Sequence, residues 1–485
     1  MGGVTCSPHA DPPPSRGSKN GAWLLAVAFG FAALFAFQRL SDMDAGWLLA
    51  LGRLVAQGRF PHTNALAWTA RDFPWYPTSW LFELALYGCD RALGVFGIQL
   101  FTFALTATTL VLSARAAEHA GASRFSARAA ALLAFAVLWT RVVPRPHLVE
   151  YALLAFTLER ATAAIEQRSA RPLWLLPIAV TVWANAHQSA PFGVGLLALI
   201  LLPAVTGRAD FARRDRQQLA LLITLCAAAT LATPGFDLNV RDLLAHLSLS
   251  EYAPIQEYAR PTLRDEPNIV VLALLALGAA AALPEARRWL LSAAVFSAAA
   301  LLLGRRFGAD AAIVGIVPIA ILFDRIRPLD SRMRALVTGT SALGACLLLM
   351  AASRVPLTSL GAFLGATWEN SQLPVDAITE MKQLHLDGRG FTAYRFGGYV
   401  AWTLPEVGDF QDSRPRAFPR AFWEELAAAQ ASPAAFRAYL DRWNASWALT
   451  TAFPDAFSGH GLLRNAPGWR LVSTDETAEL YVRSK

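Results

Sequence analysis

The chain has 485 residues, of which 55% are hydrophobic and only 16% are charged, and its formal net charge is +7 at pH 7. Many apolar runs approach the length of about 20 residues that a helix needs to cross a hydrocarbon core. This composition excludes an ordinary soluble protein and predicts a polytopic membrane protein. The arginines lie mostly between apolar segments, so we interpret them as topology signals and exclude nucleic acid as a partner.

The first 20 residues are polar and contain a run of prolines, which predicts a disordered cytoplasmic tail. An apolar helix follows from about residue 21 to residue 37. It is not followed by a small-residue cleavage site, so we interpret it as a retained membrane anchor.

The stretch from residue 42 to residue 93 interrupts the apolar sequence with acids, tryptophans and prolines. After Asp44, apolar residues recur at helical spacing and predict an amphipathic helix that lies along the membrane surface. These residues are Trp47, Leu48, Leu51, Leu54 and Val55. Two interpretations of Asp44 stay open: a carboxylate that caps the helix N-terminus, or a functional acid.

A second helix is predicted from residue 79 to about residue 93, and the acids share one of its faces. The residues of this face are Trp80, Glu83, Tyr87 and Asp90. The face either looks at water or lines a cleft above the bilayer.

Ten further apolar segments are predicted to cross the membrane, which gives about eleven spans in a transmembrane domain over residues 21–352. The ten segments are residues 95–114, 128–143, 147–164, 172–186, 190–206, 218–234, 267–283, 289–304, 308–324 and 335–352. Short basic loops alternate with longer loops, and the positive-inside rule places the basic set in the cytoplasm. The external loops 39–94 and 235–266, together with residues 353–485, are then predicted to lie in a periplasm-like space.

Residues 353–485 have ordinary polarity and predict a small soluble α/β domain. Alternating apolar residues predict strands, whereas AFWEELAAAQ and AAFRAYLDRW have helical patterns. The strand-like segments are GFTAYRF, YVAWTL, SWALTTA, WRLVST and AELYVRS. The predicted fold class is therefore mainly α, a helix bundle with surface helices in its first external loop and an α/β tail.

Polar residues that are costly at membrane depth usually face a cavity or a partner. Residues of this kind lie at the outer ends of the predicted spans, and they are Arg141, Arg145, His147, Asn185, His187, Arg305 and Arg306. Each arginine alone could equally extend to the lipid headgroups. Their shared outer placement runs against the inside bias of the other arginines and indicates a bound phosphate. With Asp44 or Asp42 as general base, this arrangement suits group transfer from a lipid phosphate.

Several short fragments, in their order along the chain, carry a resemblance to a known family. They are DMD at 42–44, PWYPTSWLFE at 74–83, RPH at 145–147, WANAH at 183–187, IQEY at 255–258, FGGYVAWTLP at 396–405 and DSR at 412–414. Together they resemble the GT-C superfamily of glycosyltransferases, in particular bacterial GT-C-like membrane proteins with a C-terminal soluble domain. The resemblance spans nearly the whole chain and implies an enzyme that uses a polyprenyl-phosphate-linked sugar.

The resemblance implies Asp44 as the catalytic base, with Asp42 as the second choice. It offers Glu83 and Glu257 as candidates for a second acid that positions the acceptor or a metal. The residues implied for the donor phosphate are Arg145, His147, Asn185, His187, Arg305 and Arg306. Where the family usually places Glu after the key Asp, this chain has Ala45, which leaves open a different metal requirement or a degenerate site.

Residues of the tail could reach the acceptor, although a Gly-Gly pair followed by aromatic residues is more typical of a turn and core. These residues are Tyr399, Trp402, Asp412 and Arg414. No His-x-x-His or His-Glu-x-x-His pattern is present, so no tight zinc site is predicted. A loosely held Mg or Mn ion at Asp44 stays an open alternative.

These features predict an inverting glycosyltransferase of the bacterial inner membrane that acts on the outer, periplasmic side. Its partners would be a polyprenyl-phosphate-sugar donor and a glycan, lipid or protein acceptor of the cell envelope. The alternatives are a non-catalytic scaffold or lipid-binding subunit with the same fold, and a transporter of lipid-linked sugars.

Overall fold

The computed structural model describes residues 21–247, 259–284, 288–325, 331–352 and 365–484. The N-terminal tail and Glu257 lie outside these residues. The described part of the chain is mainly α-helical, with one small sheet near the C-terminus.

Fourteen helices precede residue 353 in the described ranges. They are α1 Ala22–Ala36, α2 Met43–Ala56, α3 Trp80–Leu93, α4 Val95–His119, α5 Arg124–Leu138, α6 His147–Gln167, α7 Leu176–Ala186, α8 Ala190–Val205, α9 Arg213–Ala229, α10 Leu238–Leu247, α11 Pro267–Ala281, α12 Arg288–Ala300, α13 Gly308–Arg325 and α14 Ser331–Ala352. Each of the eleven segments predicted to span the membrane overlaps one of these helices. The positions of the apolar helices therefore agree with the sequence pattern.

Two helical segments of the described chain are long and apolar enough to cross a membrane alone, Val95–His119 and Arg305–Arg325. Five shorter helices are also apolar, and they are Ala22–Ala36, Ala190–Val205, Pro267–Ala281, Trp289–Leu303 and Thr338–Ala352. The number of spans therefore stays a prediction.

Small residues hold the centre of the bundle together. Helix α5 is buried from Ser126 to Leu138 apart from one residue, because its many alanines let α1, α13 and α14 approach closely. Helix α13 crosses α5 and α11, and Gly315 lies so close to Ala276 of α11 that a side chain there would crowd it.

The C-terminal segment combines four helices with a four-stranded sheet. Its elements are α15 Val375–Gln383, β1 Gly390–Thr392, α16 Gly397–Thr403, α17 Arg420–Ala429, α18 Pro433–Arg442, β2 Trp447–Thr451, β3 Trp469–Thr474 and β4 Ala478–Arg483. The strand order is β1-β2-β4-β3, with β1 parallel to β2 and the other pairs antiparallel. The predicted α/β character is confirmed.

The segment YVAWTL, expected to be a strand, belongs instead to helix α16. Residues Gly397 to Ala401 are all buried, because α16 packs against α2 on one side and against the tail's own core on the other. A short element that is buried on all sides has no polar face. The pattern of apolar residues in its sequence therefore cannot distinguish a helix from a strand.

Helix α2 forms where the sequence predicted it, and protein covers it on two sides. Its residues from Leu48 to Gly52 are all buried, between α3 and α16. Two glycines permit this contact: a Cβ on Gly46 would collide with the backbone of Gly398, and one on Gly52 would collide with the carbonyl of Glu83.

The loop between α2 and α3 contributes to the core of the C-terminal segment. The ring of Trp68 packs edge to face against Phe410 and Trp443, at centroid distances of 5.3 and 5.6 Å. Backbone hydrogen bonds join Trp68 N to the Asp409 carbonyl at 3.0 Å and Asp409 N to the Leu66 carbonyl at 3.2 Å. The loop and the tail are therefore packed as one layer over α2.

We expect Gly52→Ala to destabilise the protein, because the new methyl group would push α3 away from α2. Overpacking of this kind costs about 1–3 kcal/mol, which thermal unfolding in detergent would detect as a lower Tm. The matched control is Gly88→Ala in α3, since no atom lies within 4 Å of a Cβ built there. Equal melting temperatures for the two variants would contradict the close contact.

Candidate active site

Asp42 caps helix α2 and contacts the bundle. Its Oδ1 accepts a hydrogen bond from Asp44 N at 2.8 Å, as expected of an aspartate at a helix N-terminus. Its Oδ2 lies 2.7 Å from Arg145 Nε. The capping role that the sequence left open for Asp44 therefore belongs to Asp42.

Asp44 is held by three side chains. Its Oδ1 accepts hydrogen bonds from the Ser413 hydroxyl and, at 3.2 Å, from Trp47 Nε1, and its Oδ2 lies 3.0 Å from Arg145 Nη1. Burial raises the pKa of the Asp44 carboxyl, and although Arg145 opposes this, the pKa stays above its usual value. A carboxylate with a raised pKa is a stronger base, as general base catalysis requires.

Arg145 connects the acids to the start of α6. The guanidinium contacts both Asp42 and Asp44, and the residue is followed by Pro146 and by the first helical residue, His147. The ring of His147 contacts the carbonyl of Arg141 through Nε2, at 2.9 Å. The charged side chain of Arg145 therefore reaches the two acids from the N-terminus of helix α6.

A second polar cluster lies beside Asp42, Asp44 and Arg145, at the N-terminus of α6 and the C-terminus of α7. His187 Nδ1 is 3.2 Å from Glu150 Oε2 and 2.7 Å from Ser189 Oγ. Asp310, in the first turn of α13, and Arg306 lie within range of these charges. We name this group the outer polar cluster, and its members are Arg141, His147, Glu150, Tyr151, His187, Arg306 and Asp310.

Two residues predicted for the donor phosphate make other contacts. Asn185 accepts from Trp80 Nε1 at 2.8 Å, and its amide donates to the carbonyls of Thr181 and Ala232. Arg305 forms an ion pair with Glu266 at the start of α11. The structure brings the other four residues near one another, and they are Arg145, His147, His187 and Arg306. Arg145 and His187 both lie within charge range of His147, and Arg306 lies within charge range of His187.

Glu83 lies in helix α3 and is buried, with 1% of its surface exposed. Burial raises the pKa of its carboxyl to about 8, although the charge of Arg414 opposes the shift. Its Oε2 has no hydrogen-bond partner among the described residues. Burial therefore favours the protonated, neutral form of Glu83.

The DSR fragment of the tail lies directly above the acids. Arg414 forms a buried ion pair with Asp412, donates to Asn64 Oδ1 at 2.9 Å and lies over the rings of Trp75 and Trp47. Burial and the Asp412 carboxylate raise the pKa of Asp409 well above its usual range. The ion pair of Asp412 and Arg414 fixes the fragment. Ser413 lies between these two residues in sequence, and its hydroxyl contacts Asp44.

An apolar groove with a volume of about 500 Å³ runs between α3, α4, α6 and α7. Its walls include Phe82, Phe101, Val149 and Ala186. Ala186 is adjacent in sequence to His187 of the outer polar cluster. Part of the groove wall is therefore formed by a residue next to the outer polar cluster in sequence.

No protein-family model matches this sequence, and a search of curated proteins finds no match. Solved structures do match the fold. The oligosaccharyltransferase AglB from Archaeoglobus fulgidus, in complex with an inhibitory peptide and a dolichol-phosphate, has a TM-score of 0.59 and 12% identity over 90% of this chain and 70% of its own. The arabinofuranosyltransferase AftD from Mycobacteria has a TM-score of 0.61 and 16% identity over 96% of this chain, which spans 40% of AftD. ArnT from Cupriavidus metallidurans, bound to undecaprenyl phosphate, has a TM-score of 0.52 and 14% identity, with 96% of this chain and 98% of ArnT covered.

The chain has the GT-C fold. The resemblance seen in the sequence is confirmed at the level of fold, over nearly the whole length of the chain.

Within this GT-C fold, the sequence did not point to Ser413 as a site residue. Its contact with Asp44 joins residues 369 positions apart, and the only signal was the DSR fragment itself. Tyr399 packs in the core against Trp368, and Trp402 lies over Arg53 and beside Tyr87. These two contacts agree with the core interpretation of the GGYVAW segment.

We expect Glu83→Gln to stabilise the protein increasingly as the pH rises. The carboxyl has an ordinary pKa of 4.5 and a pKa of about 8 in the fold, so wild type loses stability between these values while the neutral amide does not. The difference should reach a few kcal/mol near pH 8, measured by thermal unfolding from pH 5 to pH 8.5. Glu476→Gln is the control, because Glu476 is exposed, and parallel curves for wild type and Glu83→Gln would refute the buried neutral acid.

Proposed function

We propose that this chain is an integral membrane glycosyltransferase that transfers one sugar from a polyprenyl-phosphate-linked donor to an acceptor hydroxyl. The observation that carries the proposal is the neighbourhood of an apolar groove and two polar groups. The groove residues Val149 and Ala186 directly precede Glu150 and His187 of the outer polar cluster in sequence, and His147 of that cluster lies within charge range of Arg145, which contacts the paired acids. A substrate with an isoprenoid chain, a phosphate and a sugar needs an apolar, a basic and an acidic region close together.

The apolar groove accommodates part of the donor's isoprenoid chain. Its lining carries no polar surface, and a hydrocarbon chain there would bury apolar area on both sides. AglB and ArnT have been solved with a dolichol-phosphate and with undecaprenyl phosphate, which supports a donor of the same class here.

The donor phosphate binds among the basic residues near the groove. Arg145, His147, His187 and Arg306 supply this set, because they lie within charge range of one another, and Arg141 lies within charge range of both histidines. Hydrogen-bond donors in a site with little water stabilise developing negative charge strongly. Asn185 and Arg305 receive no role in this proposal, because neither of them is within charge range of His147 or His187.

Asp44 is the general base. The acceptor oxygen forms the new bond to the anomeric carbon, the bond from that carbon to the phosphate oxygen breaks, and the acceptor proton passes to Asp44. Polyprenyl phosphate leaves as the anion, and the configuration inverts. The Ser413 hydroxyl, which donates to Asp44 Oδ1, occupies the position that an acceptor hydroxyl would take. The acceptor therefore approaches from the side of the C-terminal segment.

The site belongs to the external face of the bundle, with the N-terminus in the cytoplasm and the C-terminal segment in the periplasm. A glycan, lipid or protein of the envelope would be the acceptor. The alternative is a non-catalytic GT-C scaffold, and one observation favours it: both oxygens of Asp44 already have protein partners.

We expect Asp44→Asn to reduce sugar transfer by about 10²- to 10⁴-fold, the usual contribution of a general base. The measurement is transfer of labelled sugar from polyprenyl-phosphate donors by the purified protein in detergent, with an envelope extract as the acceptor. Asp210→Asn is the control, because Asp210 is exposed and pairs with Arg168 in a basic loop. Transfer that survives Asp44→Asn would exclude Asp44 as the base, and donor binding without any transfer by wild type would favour the scaffold.

We expect Ala179→Trp to weaken the use of long-chain donors, because the indole would fill the groove that Ala179 lines. The KM for an undecaprenyl donor should rise about tenfold, equivalent to about 1.4 kcal/mol of lost binding, while a donor with two isoprene units is affected less. Ile178→Trp is the matched control, since Ile178 is 66% exposed and lies outside the groove lining. An equal change for both donor lengths would show that the chain lies elsewhere.

A further inference from the structure

The paired acids of the site already hold a cation of the protein's own. Arg145 Nε lies 2.7 Å from Asp42 Oδ2, and Arg145 Nη1 lies 3.0 Å from Asp44 Oδ2. The side chains are mostly buried, with 24% of the arginine, 7% of Asp42 and 15% of Asp44 exposed. The guanidinium therefore bridges two carboxylates away from bulk water.

The remaining oxygens of the two acids are also engaged. Asp42 Oδ1 accepts from Asp44 N, and Asp44 Oδ1 accepts from Trp47 and Ser413. Mg²⁺ or Mn²⁺ needs several oxygen ligands in a regular shell at about 2.0–2.2 Å. In the described part of the chain, no three His, Cys, Asp or Glu side chains are grouped so that they could hold a metal ion. The donor set at Asp42 and Asp44 therefore fits a guanidinium and does not fit a resident divalent ion.

We propose that Arg145 is the resident cation of this site, in the place that a divalent metal would take between Asp42 and Asp44. It acts as a positioning residue: it keeps the two carboxylates side by side, so that sugar transfer requires no added metal. The part concerning transfer rests on the proposed function. The part concerning metal binding does not, because it depends only on which cation the two acids hold.

The chemistry of arginine suits this role. A guanidinium remains charged at every relevant pH, and its planar fork presents N–H groups to two carboxylate oxygens at once. The backbone also fixes its position, because Arg145 N donates to the Val143 carbonyl at 2.7 Å and Pro146 follows directly before α6. Without Arg145, two mostly buried carboxylates would face each other uncompensated. A divalent cation is the natural substitute for the lost charge.

Binding of Mn²⁺ to the purified full chain in detergent, followed by electron paramagnetic resonance, tests the proposal without any substrate. We expect wild type and Arg71→Ala to show no site that depends on Asp44; Arg71 is exposed in the same external loop and serves as the matched control. Arg145→Ala should gain one bound ion per chain. The double variant Arg145→Ala with Asp44→Asn should lose it again.

Turnover gives a second, separate measurement. Wild type should transfer sugar unchanged after treatment with EDTA, whereas Arg145→Ala should be impaired and partly restored by Mn²⁺ or Mg²⁺. Because Arg145 lowers the pKa of Asp44, its loss should move the acidic limb of the kcat/KM profile to higher pH by about 1 to 3 units. Arg145→Lys keeps the positive charge, so it should bind no Mn²⁺ and shift the pH profile of kcat/KM less than Arg145→Ala. This variant also allows the test to be made if Arg145→Ala does not fold.

Two results would overturn the proposal. One is a wild-type protein that binds Mn²⁺ in a manner abolished by Asp44→Asn, or that loses turnover with EDTA. The other is a folded Arg145→Ala variant that gains no metal and keeps the wild-type pH profile. If no donor supports turnover, the proposed function fails, and the binding measurement still decides which cation the acids hold.

Discussion

The contact of Arg145 with Asp42 and Asp44 is the interaction on which the architecture of the site depends. It joins the N-terminus of α6, in the bundle, to the N-terminus of α2, which lies under the loop and the C-terminal segment. Charges that leave water are costly unless their partners are well placed, so this contact is favourable only when both helices are in register. The same three side chains therefore define the geometry of the site and the relative position of two parts of the chain.

The loop after α2 and the C-terminal segment build a polar site on an apolar helix bundle. Half of the residues of helix α2 are buried, because α3 covers one side and α16 the other. The buried pair of Asp412 and Arg414, stacked between tryptophans, then fixes Ser413 over Asp44. Protein groups cover most of the surface of these charges, so the surrounding protein largely sets the strength of their interaction.

The sequence was sufficient to predict the apolar helices and the α/β character of the tail, because hydrophobic periodicity and length determine each of them locally. It was not sufficient for α16, whose residues Gly397 to Ala401 are all buried, or for Ser413, whose contacts with Asp44 and Trp47 join parts of the chain far apart in sequence. Arg145 illustrates the same limit. Its charge and outer placement were visible in the sequence, but a pattern cannot show whether an arginine at a helix end contacts a ligand or a neighbouring carboxylate.

The shared core of the first external loop and the tail has a consequence for biogenesis. Asn64 donates to the Ala417 carbonyl across a separation of 353 residues, and the loop that carries it leaves the ribosome long before its partner does. Contacts so distant in sequence form late, because closing the intervening chain is entropically costly. The tryptophans of the loop therefore lack their partners until the last quarter of the chain has been synthesised. Completion of the site is in this way coupled to completion of translation, so that a truncated product could not assemble the acids, the arginine and the serine into one site.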